Sequence, residues 1–212
     1  MKKYGLRKIN IDGKNGYNDF VWPLEVGAEV VCPDWSPELE CGNGLHCLEN
    51  GQGDWELLDG YYWAVLEYDS ADRVNIDDQK AKVSKCKIVF LSESPEGLLK
   101  FFDWKSFDSE TAYEWARNIG NKDIMINRIT ESEWAYHWAV SIGNKDIMID
   151  RITESGWAYE WAKNIGNKDK MIDRITKSHW AYWWAVNIGD FHEMLVKFPQ
   201  INVMIATRGY SF

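Results

Sequence analysis

The residue types best suited to chemistry cluster in one short run, Cys41-Gly-Asn-Gly-Leu-His46-Cys47, and Cys32 precedes it. Thiolates and imidazoles are ligands that zinc prefers, but zinc requires about four of them in tetrahedral geometry. The spacing matches no usual zinc motif, because adjacent residues such as His46 and Cys47 rarely bind one ion together. We therefore expect a glycine-rich turn with partly buried small residues, and a metal site at Cys41, His46 and Cys47 is the alternative.

His46 is also the catalytic candidate, since an imidazole can act as a general base near neutral pH. A mechanism would require a fixed partner, and the sequence identifies none. The chain contains no nucleophile elbow, phosphate-binding loop, dinucleotide fingerprint or kinase motif. The pair Asp77-Asp78 is typical of an acidic turn. The sequence thus implies no cofactor.

The acidic residues are unevenly distributed along the chain. The formal net charge is −9, and no Lys or Arg occurs between Lys14 and Arg73, a stretch that holds 13 Asp and Glu residues. An unneutralised acidic surface repels nucleic acid and attracts basic surfaces. The stretch therefore predicts a protein partner with a basic surface and no direct nucleic-acid contact, with simple solubility as the alternative. The binding candidates in this stretch are Glu38, Glu40, Asp54 and Glu56.

The second half of the chain is a tandem repeat of 23 residues, whose four units begin at Ser109, Ser132, Ser155 and Ser178. Each unit predicts two helices. In the second unit Ser132 is expected to cap the first helix, Gly143 to end it and Asn144 to cap the next. The fourth unit drifts in its second half, as terminal units of repeat arrays do.

Two sets of repeat positions have different predicted roles. An invariant Trp column and two invariant Ala columns predict a buried seam, so that stacked units form a short α-solenoid. Three variable columns share one face of each first helix, which is expected to point outward. That face is a candidate partner surface, with an unconstrained solvated face as the alternative. Its binding candidates are His137, Glu160 and Trp183.

The first half has the pattern of a β-rich domain. Segments rich in Val, Ile and aromatic residues, punctuated by Gly, Pro, Asp and Asn, predict the strands 4–10, 28–32, 62–68, 73–76 and 87–91. The expected class is therefore α+β. We expect an acidic β-rich domain over 1–107, helix-turn-helix repeats over 108–198 and a C-terminal tail over 199–212.

Other features bear on the cellular setting. No stretch approaches the roughly 18 apolar residues of a membrane span, and no apolar segment follows the basic N-terminus. A cytoplasmic protein with four reduced cysteines and no membrane partner is expected. Homo-oligomers are compatible with the pattern.

The first 95 residues contain three short motifs, Phe20-Val-Trp-Pro-Leu-Glu-Val-Gly27, Cys32-Pro-Asp-Trp35 and Glu40-Cys-Gly-Asn-Gly-Leu-His-Cys47. They resemble an uncharacterised phage and bacterial domain family with a Cys…Gly-Leu/Phe-His core, whose members often precede repeat arrays. The resemblance implies a phage or mobile-element origin, a small β-rich fold and a bacterial host cytosol. It supplies no activity. The Gly-Leu-His run is also similar to the NAD-contacting histidine motif of ADP-ribosyltransferase-like folds.

The leading interpretation is a non-enzymatic interaction module that binds and inhibits a host defence protein with a basic surface. One alternative is a nucleotide-acting enzyme of ADP-ribosyltransferase-like type that uses His46. Another is a structural protein of the virion.

Overall fold

The computed structural model describes residues 1–14, 20–53, 55, 58–76 and 80–207, and for residues 205–207 only the backbone. The chain forms two compact units, Met1–Gly120 and Asn121–Phe212. The first contains an antiparallel sheet and the second is helical, so the predicted α+β class is confirmed. No helix in the described part of the chain is both long and apolar enough to cross a membrane.

The first unit is built on a curled antiparallel sheet, for which the described residues supply seven strands. These are β1 (Lys2–Ile9), β2 (Glu29–Val31), β3 (Leu45–Glu49), β4 (Tyr62–Asp69), β5 (Arg73–Asn75), β6 (Ala81–Val83) and β7 (Lys85–Ser92). Their order across the sheet is β2-β7-β4-β1-β3-β6-β5. The long central strands β1 and β4 pair over their whole length, from Lys2 opposite Asp69 to Ile9 opposite Tyr62. Alternate residues of the sheet bury one core that includes Ile9, Leu66, Val83 and Ile88.

Five of these strands correspond to predicted ones, whereas β3 and β6 do not. β3 begins at Leu45, so the expected glycine-rich turn is correct only up to Gly44, and His46 and Cys47 lie in a strand. Both unpredicted strands are short, and they form by pairing with each other and, for β3, with β1. Such pairing joins distant parts of the chain, and a local residue pattern does not reveal it.

The first repeat helix, α1 (Ser109–Asn118), belongs to the sheet unit. Three aromatic rings surround its buried Trp115, with ring centroids 5.7 Å away at Trp55, 5.4 Å at Phe102 and 5.2 Å at Phe107. Two short 3₁₀ helices, Leu98–Phe101 and Trp104–Ser106, lead from β7 to α1. The compact units therefore divide at Gly120, one helix beyond the change in sequence pattern near residue 107.

The second unit contains the other repeat helices, paired as a long first helix and a short second one. They are α2 (Lys122–Met125), α3 (Ser132–Ser141), α4 (Lys145–Met148), α5 (Ser155–Asn164), α6 (Lys168–Met171), α7 (Ser178–Asn187), α8 (Phe191–Lys197) and α9 (Ile201–Thr207). A 3₁₀ turn extends each of α2, α4 and α6. The predicted seam is confirmed, because Trp138, Trp161 and Trp184 are fully buried and the Ala columns beside them are at most 3% exposed.

The turn between paired helices depends on backbone conformation. Gly143 and Asn144 have φ of 115° and 55°, and the Gly143 N–H donates to the Trp138 carbonyl at 2.9 Å. Asn144 is the residue before α4, as predicted, but its side chain forms no capping hydrogen bond. Asn is suited to this position because it tolerates the left-handed region better than other side chains do.

The predicted serine caps are wrong in mechanism. Glu131 is the cap residue of α3, and Ser132 is the first helical residue. The Ser132 hydroxyl instead accepts from the backbone N–H of Thr153 at 2.9 Å, and Ser155 accepts from Thr176 in the same way. The serine column thus fastens the start of each first helix to the segment that leads into the next one.

Basic residues at one position of the repeat connect each 23-residue repeat to the preceding repeat, and we call them the cationic column. Arg151 donates to the carbonyls of Ile126 and Ile129, and Arg174 makes the same two contacts one repeat later, at Ile149 and Ile152. The fourth unit places Lys197 in this column, where it donates to the Ile172 carbonyl at 3.0 Å. The drifted sequence of that unit therefore preserves the contact.

The segment expected as a tail contains a helix. α9 begins at Ile201, 23 residues after Ser178, and it packs against α7 as α7 packs against α5. Ile201 is fully buried. The helix forms here because the apolar side of α7 would otherwise face water, and a further first helix covers it.

Candidate functional site

Tertiary structure divides the acidic stretch into two parts. Four acids in its later half form ion pairs with cations from outside the stretch: Glu49 with Lys3 and Arg73, Glu67 with Lys2, Asp69 with the N-terminus, and Asp72 with Lys85. Two of these pairs, those of Glu67 and Asp69, form because the start of β1 lies beside the end of β4. The acids of the earlier half are different. Glu25, Glu29, Glu38 and Glu40 are exposed and form no ion pair within the described residues.

Glu29 belongs to β2, and the other three carboxylates lie in the segments just before and after this strand in the chain; we call the four the acidic edge. β2 is the last strand of the sheet, with β7 as its neighbour among the described strands. The Cys32 N–H donates to Ser84, and the Ala28 carbonyl accepts from Ile88, so these residues face β7. Backbone groups of alternate residues point to opposite sides in an antiparallel pair. Glu29 and Val31 therefore direct their N–H and C=O groups toward the open side.

Apolar side chains accompany the carboxylates. Val31 is 67% exposed on β2 itself, and Val26 and Leu39 are 56% and 74% exposed in the adjoining segments. Scattered exposed apolar residues are ordinary on protein surfaces. Here they flank an unpaired strand edge, which is the arrangement to which another extended chain can add.

A buried cation positions the loop that carries Glu38 and Glu40. Lys82 of β6 is fully buried, and its ammonium donates to the carbonyls of Glu40 at 3.0 Å and Gly42 at 3.5 Å. Gly44 lies against the same side chain, since a Cβ there would lie 2.8 Å from the Lys82 Cβ. The loop is thus held on the sheet at three points.

A second feature lies where β1 and β3 separate. The two strands pair at Gly5–Glu49 and Leu6–Leu48 and then diverge, and Arg7 crosses the gap by donating to the His46 carbonyl at 2.6 Å. We call this gap the fork. A cavity of about 60 Å³ lies there, lined by Leu6, Arg7, Lys8, His46, Cys47, Leu48, Leu58 and Lys80.

The fork disfavours protonation of His46. Burial lowers the pKa of its imidazole to about 4, and the charges of Lys80, Arg7 and Lys82 act in the same direction. Lys82 is directly opposite His46 in the β3–β6 register. Burial also lowers the pKa of Arg7 to about 10, and that guanidinium stacks on Trp22 at 4.5 Å from the ring centroid.

The candidate metal ligands do not converge. Cys41 is exposed, whereas Cys47 is 4% exposed and belongs to the sheet core. His46 and Cys47 are successive strand residues, so their side chains leave opposite faces of the sheet. Burial raises the pKa of the Cys47 thiol to about 12, which disfavours the thiolate that a metal requires. In the described ranges no three His, Cys, Asp or Glu side chains are placed to hold an ion.

The repeat candidates form a row, because the first helices that carry them, α3, α5 and α7, pack side by side. Their exposure differs. His137 is half-buried, 5.6 Å by ring centroid from Trp157, and Glu160 is half-buried and accepts from Asn164 at 2.9 Å. Trp183 is 38% exposed. The predicted outward face is therefore open to water only in part.

Two of the predicted binding residues, Asp54 and Glu56, lie outside the described residues, as does the pair Asp77-Asp78. Glu38 and Glu40 are in the exposed loop after β2. Sequence reasoning missed Arg7, Lys80 and Lys82, because isolated basic residues in strand-like segments carry no motif. Comparison of the chain with known protein families, with curated proteins and with solved structures gives no match.

Proposed function

We propose that the protein is a non-enzymatic interaction module whose acidic edge binds an extended basic segment of another protein. The partner would be a host protein with a basic surface, such as a defence factor that handles nucleic acid. Binding would inhibit that protein by covering the surface it uses. The observation that carries the proposal is an open strand edge that coincides with exposed carboxylates and exposed apolar side chains.

Backbone geometry supports this mode of binding. Peptides that add a strand to a sheet edge gain affinity from main-chain hydrogen bonds and specificity from alternate side chains. The open side of β2 supplies the hydrogen-bonding groups of Glu29 and Val31. Glu29 and Val31 leave the same face of β2, so a segment with a basic and an apolar residue two positions apart would place its cation near Glu29 and its apolar side chain near Val31.

Charge supports the same partner. Carboxylates that already pair with an ammonium group attract a further cation less strongly, and Glu67 and Asp69 of β4 form such pairs with Lys2 and the N-terminus. The acidic edge lacks such pairs, so it would attract a basic segment and accelerate the encounter. Because exposed charges are screened over about 10 Å at 0.1 M salt, affinity should fall as salt is added.

A backbone substitution tests the proposal most directly. In Val31→Pro the proline removes an N–H that faces the open side and leaves the β2–β7 hydrogen bonds intact. With a synthetic peptide in which a Lys and a Val lie two positions apart, we expect binding at least about tenfold weaker than in wild type, a loss of roughly 1.4 kcal/mol. Val31→Thr is the matched control, because it keeps the N–H and a β-branched side chain. Equal affinity of the two variants would refute strand addition.

Charge reversal is the second test. Glu38→Lys with Glu40→Lys should abolish peptide binding at low salt. The control, Asp123→Lys with Asp146→Lys, changes the net charge by the same amount in the second unit and should leave peptide binding intact. Isothermal titration calorimetry gives both affinities. If the two double variants bind alike, the acidic edge is not the binding surface. The double variant that still binds the peptide, with the charge-reversed Glu38/Glu40 variant as its negative control, can then be used to capture the partner from host lysate and to measure inhibition.

A further inference from the structure

The fork between β1 and β3 contains two buried nitrogen atoms, Arg7 Nε and His46 Nε2, that have no hydrogen-bond partner among the described residues. Leaving a buried polar group unpaired costs about 1–3 kcal/mol, so such atoms usually have a partner. Both residues line the same cavity of about 60 Å³. Two unpaired nitrogens at one cavity indicate a ligand that supplies acceptors.

The repeats show what unpaired atoms look like when packing alone produces them. The indole N–H groups of Trp138 and Trp161 are also buried, and the described part of the chain offers them no acceptor. These two tryptophans occupy the same position in consecutive units, so one packing arrangement leaves both donors unpaired. Arg7 and His46 have no such relationship, since they come from different strands and meet only at the fork.

The charge at the fork is positive. Arg7, Lys8 and Lys80 line the cavity, Lys82 is opposite His46 across β3 and β6, and none of the described lining residues is a carboxylate. Burial lowers the pKa of the His46 imidazole, and the charges of Lys80, Arg7 and Lys82 lower it further. An anion in the cavity would reverse that effect, because a negative charge nearby favours the protonated imidazole.

We propose that the fork is a binding site for a phosphate-type oxyanion, with Arg7, His46 and Lys80 as its ligands. A water molecule needs roughly 10–15 Å³ of such space, so the cavity of about 60 Å³ has room for a small tetrahedral anion. The Arg7 Nε–H donates one hydrogen bond and the protonated His46 donates another. Lys80 adds charge from the neighbouring segment. The Cys47 thiol takes no part, since it belongs to the sheet core.

The proposed anion site at the fork is distinct from the acidic edge, because the fork attracts anions whereas the acidic edge attracts cations. The phosphate can be free inorganic phosphate or the terminal group of a phosphomonoester. Both sources share the chemistry that the fork recognises, and titration with each of them distinguishes the two.

The experiment measures the pKa of the His46 imidazole by NMR, from pH titrations at increasing concentrations of inorganic phosphate. Sodium chloride holds the ionic strength constant. We expect the His46 pKa to rise by at least about one unit from its value near 4, which corresponds to tenfold preferential binding to the protonated form. At any one pH, the resonances of His137, in the second unit, should not move when phosphate is added. Absence of any His46 shift, or an equal shift with chloride alone, would overturn the proposal.

Two variants and two further ligands sharpen the result. Lys80→Gln and Arg7→Lys should each weaken phosphate binding by about tenfold or more, and circular dichroism checks that the sheet is intact. A phosphomonoester that binds more tightly than inorganic phosphate would assign the site to a phosphorylated metabolite. If acetate binds as tightly as phosphate, or if both variants retain wild-type affinity, the assigned ligand class is wrong.

Discussion

The sheet unit and the repeat unit both direct cationic side chains at backbone carbonyls, but they do so in different ways. In the repeats Arg151, Arg174 and Lys197 make the same contact every 23 residues. Among the described residues of the sheet unit, the contacts of Lys82 and Arg7 do not recur. Lys82 donates to the Glu40 and Gly42 carbonyls, and Arg7 donates to the His46 carbonyl. A repeated contact indicates a structural role, since every unit needs it. A contact made once can position a particular surface or cavity.

The same comparison explains where function is expected. The tryptophans are the most conspicuous residues of the chain, and in the repeats they fill the space between units. The sheet unit has fewer conspicuous residues but contains the open edge, the loop held by Lys82 and the fork. Regularity therefore marks the scaffold here, and irregularity marks the candidate sites.

The largest expected effect tests the scaffold role of the tryptophans. Trp184 is fully buried and its neighbour Trp183 is 38% exposed. Trp184→Ala should lower the free energy of unfolding by about 3–5 kcal/mol, because it leaves a large cavity, and Trp183→Ala should lower it by about 1 kcal/mol or less. Urea denaturation followed by circular dichroism measures both. Similar losses for the two variants would mean that the seam is not the core of the array.

The next prediction concerns His46, a polar residue of the sheet unit. The His46 pKa is about 4 in the folded protein and near 6.5 in an unfolded chain, so between these values the unfolded chain binds the proton more readily. The free energy of unfolding should therefore fall as the pH is lowered from about 6.5 to 4, by up to about 3 kcal/mol.

Hydrogen exchange resolved to the first unit, in phosphate-free buffer, reports this pH dependence. His46→Gln should remove it, while His192→Gln, in the second unit, should leave the slope of the first unit as in wild type. Should His46→Gln keep the full slope, other groups are responsible for it.

A smaller effect is expected from the cationic column. Arg174→Met removes the side-chain donor of the Ile149 and Ile152 carbonyls, and the Ile149 carbonyl keeps only its bond from the Ile152 N–H at 3.3 Å, so the expected cost is about 1–3 kcal/mol. Arg174→Lys should cost clearly less, because Lys197 makes a contact of this kind one unit later. Thermal and urea denaturation compare the two variants. A lysine variant as unstable as the methionine one would show that the fourth unit is held by other contacts.

The smallest effect compares two serines of one column. The Ser155 hydroxyl accepts from the Thr176 N–H at 2.9 Å, so Ser155→Ala should cost about 1 kcal/mol. Ser178 has the same place in the last full unit, but the described residues include no such partner for it, and the segment after Lys197 has drifted in sequence. Ser178→Ala should change the free energy of unfolding by at most a few tenths of a kcal/mol, and equal costs at both positions would contradict the fastening role.

The repeat could be interpreted in detail from residues alone. Its period, its Gly–Asn turn and its buried Trp–Ala seam follow from local preferences that four copies display side by side. The serine column shows the limit of that reasoning. A serine before an amphipathic helix is typical of a cap, but Ser132 has its partner 21 residues away, at Thr153. Only the stacked structure shows which of two possible hydrogen bonds is formed.

The sheet unit was less predictable for a physical reason. Strands β3 and β6 exist through pairing with distant segments, and the acidic stretch is divided because cations from the N-terminus, β1, β5 and β7 reach the acids of its later half. The sequence by itself determined the α+β class, the repeat and its core, since these depend on residue patterns within about 23 positions. Tertiary structure alone decided which carboxylates stay unpaired at the acidic edge and which cations meet at the fork, because both depend on contacts between residues far apart in the chain.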